Sequence, residues 1–237
     1  MIDITVNILR YNPEKDEKPY YQSFDVKGVD KKDRVLDVLN KIKWEMDGSL
    51  TYRRSCAHGV CGSDGMKING QNTLACQTLL QDIPNLNKPI TIEPMPALPV
   101  VKDLVVDMTD FFKKFELIKP YLISKEAPVE KERLQSAEDA DRIQESTICI
   151  LCGCCSSSCP SSWKNPNYLG PAALLKAYRF VFDTRDDAQD ERLDILDNSD
   201  GIWRCHSVFN CVEACPKGID ITRHLSALKK RIVEREF

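Results

Sequence analysis

Eleven cysteines punctuate this 237-residue chain, three of them between Cys56 and Cys76 and eight between Cys149 and Cys215. A secreted disulfide scaffold is short and even-numbered, so an odd count in a chain of this length points to a reducing compartment and to thiols that serve metals or catalysis. In the second group, Cys149, Cys152, Cys155, Cys159 and Pro160 spell C-x2-C-x2-C-x3-C-P. That is the spacing of paired iron–sulfur clusters, in which the fourth cysteine of a run ligates the other cluster. Residues 205–216 supply the partner run, C-x2-V-x2-C-x3-C-P when aligned on Cys215-Pro216. By that exchange Cys149, Cys152, Cys155 and Cys215 form a complete thiolate set for a [4Fe–4S] cluster. Cys159, Cys205 and Cys211 form an incomplete one, because Val208 stands where a fourth cysteine would be. A cubane corner without a thiolate tends to lose its iron, which predicts [3Fe–4S] there. Cys154 is left over and reads as a buried thiol that packs as a small hydrophobe.

The first group has a different pattern. Cys56, Cys61 and Cys76 fill three places of the C-x4-C-x2-C spacing with a distant fourth cysteine that holds a [2Fe–2S] cluster, and Asp64 occupies the remaining place. Asp64 is either an oxygen ligand to one iron, since a carboxylate is a competent hard ligand, or a bystander to a cluster completed otherwise. Gly59, Gly62 and Gly65 suit a tight loop whose amides point at the cluster sulfurs. His58 superficially matches half of a Rieske site, but no C-x2-H follows near Cys76, so it reads as a loop residue. Zinc sites prefer paired C-x2-C knuckles, which this group lacks.

These ligands need positioning elements. Ile4, Val6 and Ile8 alternate as a strand at the very start, so no leader segment is expected, and 22–27 offers a partner strand. Asp33 is placed to cap a helix running to Met46, Asn69-Gly70 marks a hairpin between 67–69 and 72–75, and 90–93 reads as another strand. Pro94, Pro96 and Pro99 then interrupt any regular element, so the chain divides into domains 1–104 and 105–237. The second reads as helical. A helix over 107–118 would align Met108, Phe111, Phe112 and Phe115; Gly170-Pro171 opens another; Asp220 caps a last one carrying Leu225, Leu228 and Ile232. Net charge is −3, which offers no footprint for nucleic acid, and no apolar run approaches the ~20 residues a membrane span needs.

Four segments carry a wider resemblance: R-R-S-C-A-H-G-V-C-G-S-D-G (53–65), D-L-V-V-D-M (103–108), C-I-L-C-G-C-C-S-S-S-C-P, and R-C-H-S-V-F-N-C-V-E-A-C-P-K-G (204–218). With them the chain resembles the iron–sulfur subunits of the succinate dehydrogenase and fumarate reductase family, the succinate dehydrogenase branch most. The resemblance implies an α+β chain: an N-terminal β-grasp domain of the plant-type 2Fe–2S ferredoxin kind, then an all-α two-cluster ferredoxin domain. It further implies a flavoprotein partner whose FAD oxidises succinate, and a membrane anchor, with or without heme b, where quinone is reduced. The chain would sit peripherally on the cytoplasmic face of the inner or plasma membrane, or on the matrix side in an organelle. It would conduct electrons and hold no catalytic residue for succinate itself.

Relatives place quinone beside the three-iron cluster, and Pro160, Ser161 and His206 match their contacts. The second tryptophan those relatives carry is Lys164 here, after Trp163, so the contact falls on Trp163 through its indole N–H or on Lys164 through its charge. Lys229 lies where relatives keep a lysine near the quinone, or is a solvated helix residue. The alternatives are the same subunit in a fumarate reductase, or a ferredoxin-type electron shuttle; a shuttle would be smaller and more acidic. Chemical analysis of the cluster-loaded chain is expected to find about nine iron and about ten acid-labile sulfide. Zinc, or about four iron or fewer, would remove the three-cluster reading.

Overall fold

The computed structural model describes residues 1–125 and 130–236. These form two units, Met1–Met108 with Ile150–Ser157, and Thr109–Cys149 with the chain from Ser158 on. The helices are α1 (Val35–Lys41), α2 (Thr109–Leu117), α3 (Ala137–Thr147), α4 (Cys154–Ser157) and α5 (Pro160–Lys164). They continue with α6 (Gly170–Val181), α7 (Gln189–Leu196), α8 (Asn210–Glu213) and α9 (Ile221–Glu236).

In the first unit, β1 (Ile2–Arg10), β2 (Tyr20–Val29), β3 (Gly65–Ile68), β4 (Gln71–Leu74) and β5 (Ile90–Glu93) form one sheet in the order β2-β1-β5-β3-β4. β1 runs antiparallel to β2 and parallel to β5, and β3 is antiparallel to both neighbours. The alternation of Ile4, Val6 and Ile8 turns one face of β1 inward, where these residues are buried together with Phe24, Val26, Ile90 and Ile92. Helix α1 adds Val35, Leu36, Val38 and Leu39 to that core, which is the β-grasp arrangement the resemblance implies. Asn69 and Gly70 have φ of 47° and 87°, as a two-residue hairpin turn between Ile68 and Gln71 requires. The cap of α1 differs from expectation. Asp33 accepts the Asp30 amide, while Asp37 accepts the amide of the capping residue Arg34 at 2.9 Å. Beyond Lys41 the helix widens into a π turn, Ile42–Met46, closed by Asp47 N–H on the Ile42 carbonyl.

This unit continues past the proline stretch as a ribbon of β6 (Val100–Lys102) and β7 (Val105–Val106). Asp103 at its tip is buried and accepts from Arg10 Nε at 3.0 Å, Tyr11 N–H at 3.1 Å and Thr51 N–H at 2.9 Å. Two segments distant in sequence, 10–11 and 51, therefore meet on one carboxylate, and Arg10 completes the group by reaching Asp47 at 2.6 Å.

Every regular element described in the second unit is a helix. Nearly all of α6 is buried, and it packs against α2, α3, α7 and α9. Pro171 stands in its first turn and Asp220 Oδ1 accepts the Arg223 amide at 3.0 Å, so both starts are as expected. Helix α2 begins only at Thr109, and of the expected stripe Phe111 is buried while Phe112 is exposed. Met108 belongs to the first unit instead, where its methyl approaches Gly153. No helix among the described residues is long and apolar enough to cross a membrane.

Arg192 is fully buried against the equally buried Asp186, at 2.5 Å. Its guanidinium also binds the carbonyls of Ile118, Lys119 and Tyr121, and Asp186 accepts the Ile123 amide. One buried pair thus fixes the chain leaving α2, whose carbonyls no helix could satisfy. Arg192→Met leaves Asp186 buried without its counter-charge and is expected to cost about 3–5 kcal/mol, read as a lowered unfolding midpoint by calorimetry.

Candidate functional site

The first set of ligand candidates lies on the loop before β3 and at the end of β4. A thiol collects amides only where the backbone leaves them unused, and this loop does so through left-handed residues: Ala57, Gly59 and Gly62 have φ of 57°, 71° and 68°. The amides of His58 and Cys61 reach Cys56 Sγ at 3.4 and 3.3 Å. These, with the Val60 amide, hold the Cys56 thiol down at about 6. Cys61 is exposed, with its sulfur 3.2 Å from Ser63 Oγ. Cys76 is buried, and its thiol is pushed up to about 12, first by that burial and then by the Asp64 carboxylate.

Asp64 is 3% exposed. Its Oδ2 accepts the Cys76 amide at 2.6 Å, while Oδ1 is buried with no hydrogen-bond partner. A buried carboxylate oxygen left bare is costly unless something electropositive meets it. The donor set therefore fits an iron cluster, with His58 contributing its amide to the loop.

Gly65 has no left-handed φ, and the reason for a glycine there is contact. A Cβ on Gly65 would lie 3.2 Å from the Cys152 carbonyl, and one on Gly62 would lie 2.7 Å from Cys152 Cβ and 2.9 Å from its Cα. The loop of the first set thus rests directly on Cys152. Cys152 is held below the usual thiol range chiefly by a hydrogen bond from the Cys154 side chain. Cys154 itself is fully buried, as expected of a thiol that packs as a small hydrophobe. Of the four-cysteine set, Cys152 and Cys155 belong to the first unit, and Cys149 and Cys215 to the second. Burial lowers the pKa of Lys176, which the neighbouring Cys149 opposes.

The third set, Cys159, Cys205 and Cys211, lines a single small cavity within the second unit. Pro160, Ser161, His206 and Val208 line the same cavity. Three thiols facing one space are the donor chemistry of an iron–sulfur cluster. Pro160 opens α5, Ser161 Oγ donates to the Arg204 carbonyl at 3.1 Å, and Asn210 Nδ2 donates to the Ser158 carbonyl at 3.2 Å. Those two bonds hold the cysteine-bearing stretches to each other. His206, Trp163 and Lys164 are exposed, and Val208 is 53% exposed. Lys229 donates to the Cys205 carbonyl at 2.8 Å rather than standing in solvent.

The chain matches the 2Fe-2S iron-sulfur cluster binding domain family over residues 5–113 and the 4Fe-4S dicluster domain family over residues 145–219. It is 42% identical over 234 residues to the succinate dehydrogenase iron-sulfur subunit of Coxiella burnetii, which covers 98% of this chain and 97% of that one. The mitochondrial succinate dehydrogenase [ubiquinone] iron-sulfur subunit of Candida glabrata is 45% identical over 231 residues, 96% of this chain and 90% of the relative. The chain belongs to the succinate dehydrogenase iron–sulfur subunit family. A chain of the Mycobacterium smegmatis Sdh1 complex in the apo form shares the fold at a TM-score of 0.89 and 26% identity, over 99% of this chain and 97% of that one. As an iron–sulfur subunit of succinate dehydrogenase the chain serves electron transfer, and its two-iron and four-iron domains occur in the order that cysteine spacing implied.

Asp64→Cys is expected to retain the two-iron signal at a lower potential, because a thiolate donates more charge than a carboxylate. Asp64→Ala is expected to hold the cluster about tenfold less firmly. Potentiometric spectroscopy and chelator challenge test both; variants indistinguishable from the parent would exclude Asp64 as a ligand.

Proposed function

We propose that this chain relays electrons from an FAD-carrying flavoprotein subunit, through [2Fe–2S], [4Fe–4S] and [3Fe–4S] clusters, to a quinone at a membrane anchor. Cys56, Cys61, Asp64 and Cys76 hold the first cluster, Cys149, Cys152, Cys155 and Cys215 the second, and Cys159, Cys205 and Cys211 the third. The observation that carries this reading is the cavity in the second unit, which the incomplete cysteine set shares with Pro160, Ser161 and His206. Residues expected to hold a cluster and residues expected to meet a quinone thus face one space. The contact of Gly62 with Cys152 supports the earlier part of the relay, since it brings a loop of the first ligand set against a ligand of the second.

Bound clusters supply one-electron transfer, which side chains alone do not. The polypeptide fixes where each ligand sits and what surrounds its sulfur. Amides of the 56–61 loop favour negative charge on Cys56. His206 directly follows Cys205, and Trp163 lies one turn past Cys159, to whose carbonyl its amide donates at 3.1 Å. The imidazole and the indole N–H are suited to donate to a quinone oxygen, and Lys164 offers a positive charge beside them. The membrane anchor, with or without heme b, belongs to partner subunits in this reading, and this chain sits on it at the cytoplasmic or matrix face.

In the assembled complex, His206→Ala and Trp163→Leu are expected to cut succinate:quinone reduction about tenfold, the worth of one good hydrogen bond. Succinate-to-dye reduction and all three cluster spectra should persist. Parallel loss of dye reduction would indicate cluster damage, and full quinone activity in both variants would move the quinone site off this chain.

A further inference from the structure

Thr222 is the second residue of α9, is 5% exposed, and lines the cavity of the three-cysteine set. Its hydroxyl oxygen lies 3.8 Å from Cys211 Sγ, itself buried. Among the described residues that sulfur is the only hydrogen-bond partner of the hydroxyl. Threonine inside a helix usually returns its hydroxyl to a carbonyl one turn back. Ser226, one turn further along α9, does so, donating to the Thr222 carbonyl at 2.9 Å. At the second position no helical carbonyl lies behind Thr222, so its proton is left for the sulfur.

The direction of this bond follows from the chemistry of the ligand. An iron-bound cysteine sulfur carries no proton and can only accept, so the hydroxyl must donate. Helix α9 is held in place at both sides of the contact: Asp220 caps its start, and Lys229, two turns beyond Thr222 on the same face, donates to the Cys205 carbonyl. One helix thus presents two donors to two cysteines of the set, and of these Thr222 alone reaches a sulfur.

We propose that the Thr222 hydroxyl donates an O–H···S hydrogen bond to Cys211 and thereby raises the reduction potential of the three-iron cluster. This rests on the ligand set proposed above. Reduction adds negative charge to the cluster and its sulfurs, and a fixed donor in a buried site stabilises the reduced state more than the oxidised one. Thr222 is a positioning and tuning residue, with no contact to succinate required of it.

The test compares Thr222→Val, which keeps volume and removes the donor, with Thr222→Ser, which keeps the donor. Both are made in the assembled complex and followed by potentiometric titration of the three-iron paramagnetic signal. In Thr222→Val the signal should persist with its midpoint shifted negative, so that the oxidised-to-reduced ratio at the parent midpoint rises about threefold or more. Thr222→Ser should titrate as the parent does. An intact signal with an unmoved midpoint in Thr222→Val would overturn the proposal. So would loss of the cluster in Thr222→Val with retention in Thr222→Ser, which would make the hydroxyl a retention device instead. Absence of a three-iron signal in the parent complex would refute the ligand assignment itself, a failure distinguishable from the others.

Discussion

The amides of His58 and Cys61 converge on the sulfur of Cys56, and that convergence expresses the constraint under which the whole chain is built. A sulfur that shares the negative charge of a metal cluster needs hydrogen-bond donors around it, and strands and helices spend their amides on their own ladders. Donors remain only where the backbone turns irregular or at the first turn of a helix. Ligand cysteines must therefore sit in loops and at helix starts, and the regular elements serve as frames for these places.

The two units meet this requirement differently. In the first, left-handed residues at 57, 59 and 62 curl a loop around Cys56, and the sheet holds its ends because β3 begins just beyond Asp64 and β4 ends just before Cys76. In the second, short helical turns follow the cysteines: α5 begins at Pro160 immediately after Cys159, and α8 contains Cys211. The sheet unit depends on the buried Arg10–Asp103 group and the helical unit on Arg192 with Asp186. Each is an ion pair whose carboxylate or guanidinium also binds backbone groups left over by irregular segments. Buried charge of this kind adds little net stability, but removing one partner strands the other.

Within that frame, the surroundings of each sulfur differ. Cys56 is favoured as thiolate by amides, Cys152 by the Cys154 thiol, and Cys76 is disfavoured by burial beside Asp64. Thr222 and Lys229 face Cys211 and Cys205 from a single helix. A chain that conducts electrons needs such differences between sites, since the cluster chemistry is common and only the surroundings are the protein's to vary.

Much of this was legible in residue order, for a physical reason. Ligand spacing, the Asn69-Gly70 turn, Pro171 at a helix start and the Asp220 cap are local devices, acting over a few residues whose covalent connection already limits their geometry. The cysteine runs accordingly revealed cluster-binding domains and their order. The exposed face of α2 and the shift of the first cap from Asp33 to Arg34 escaped, because burial and competition between neighbouring carboxylates decide them. Only the tertiary structure could bring Gly62 against Cys152, leave one oxygen of Asp64 bare, or set the Thr222 hydroxyl beside Cys211. Those contacts join segments separated along the chain, and which atoms meet there depends on how the elements between them pack.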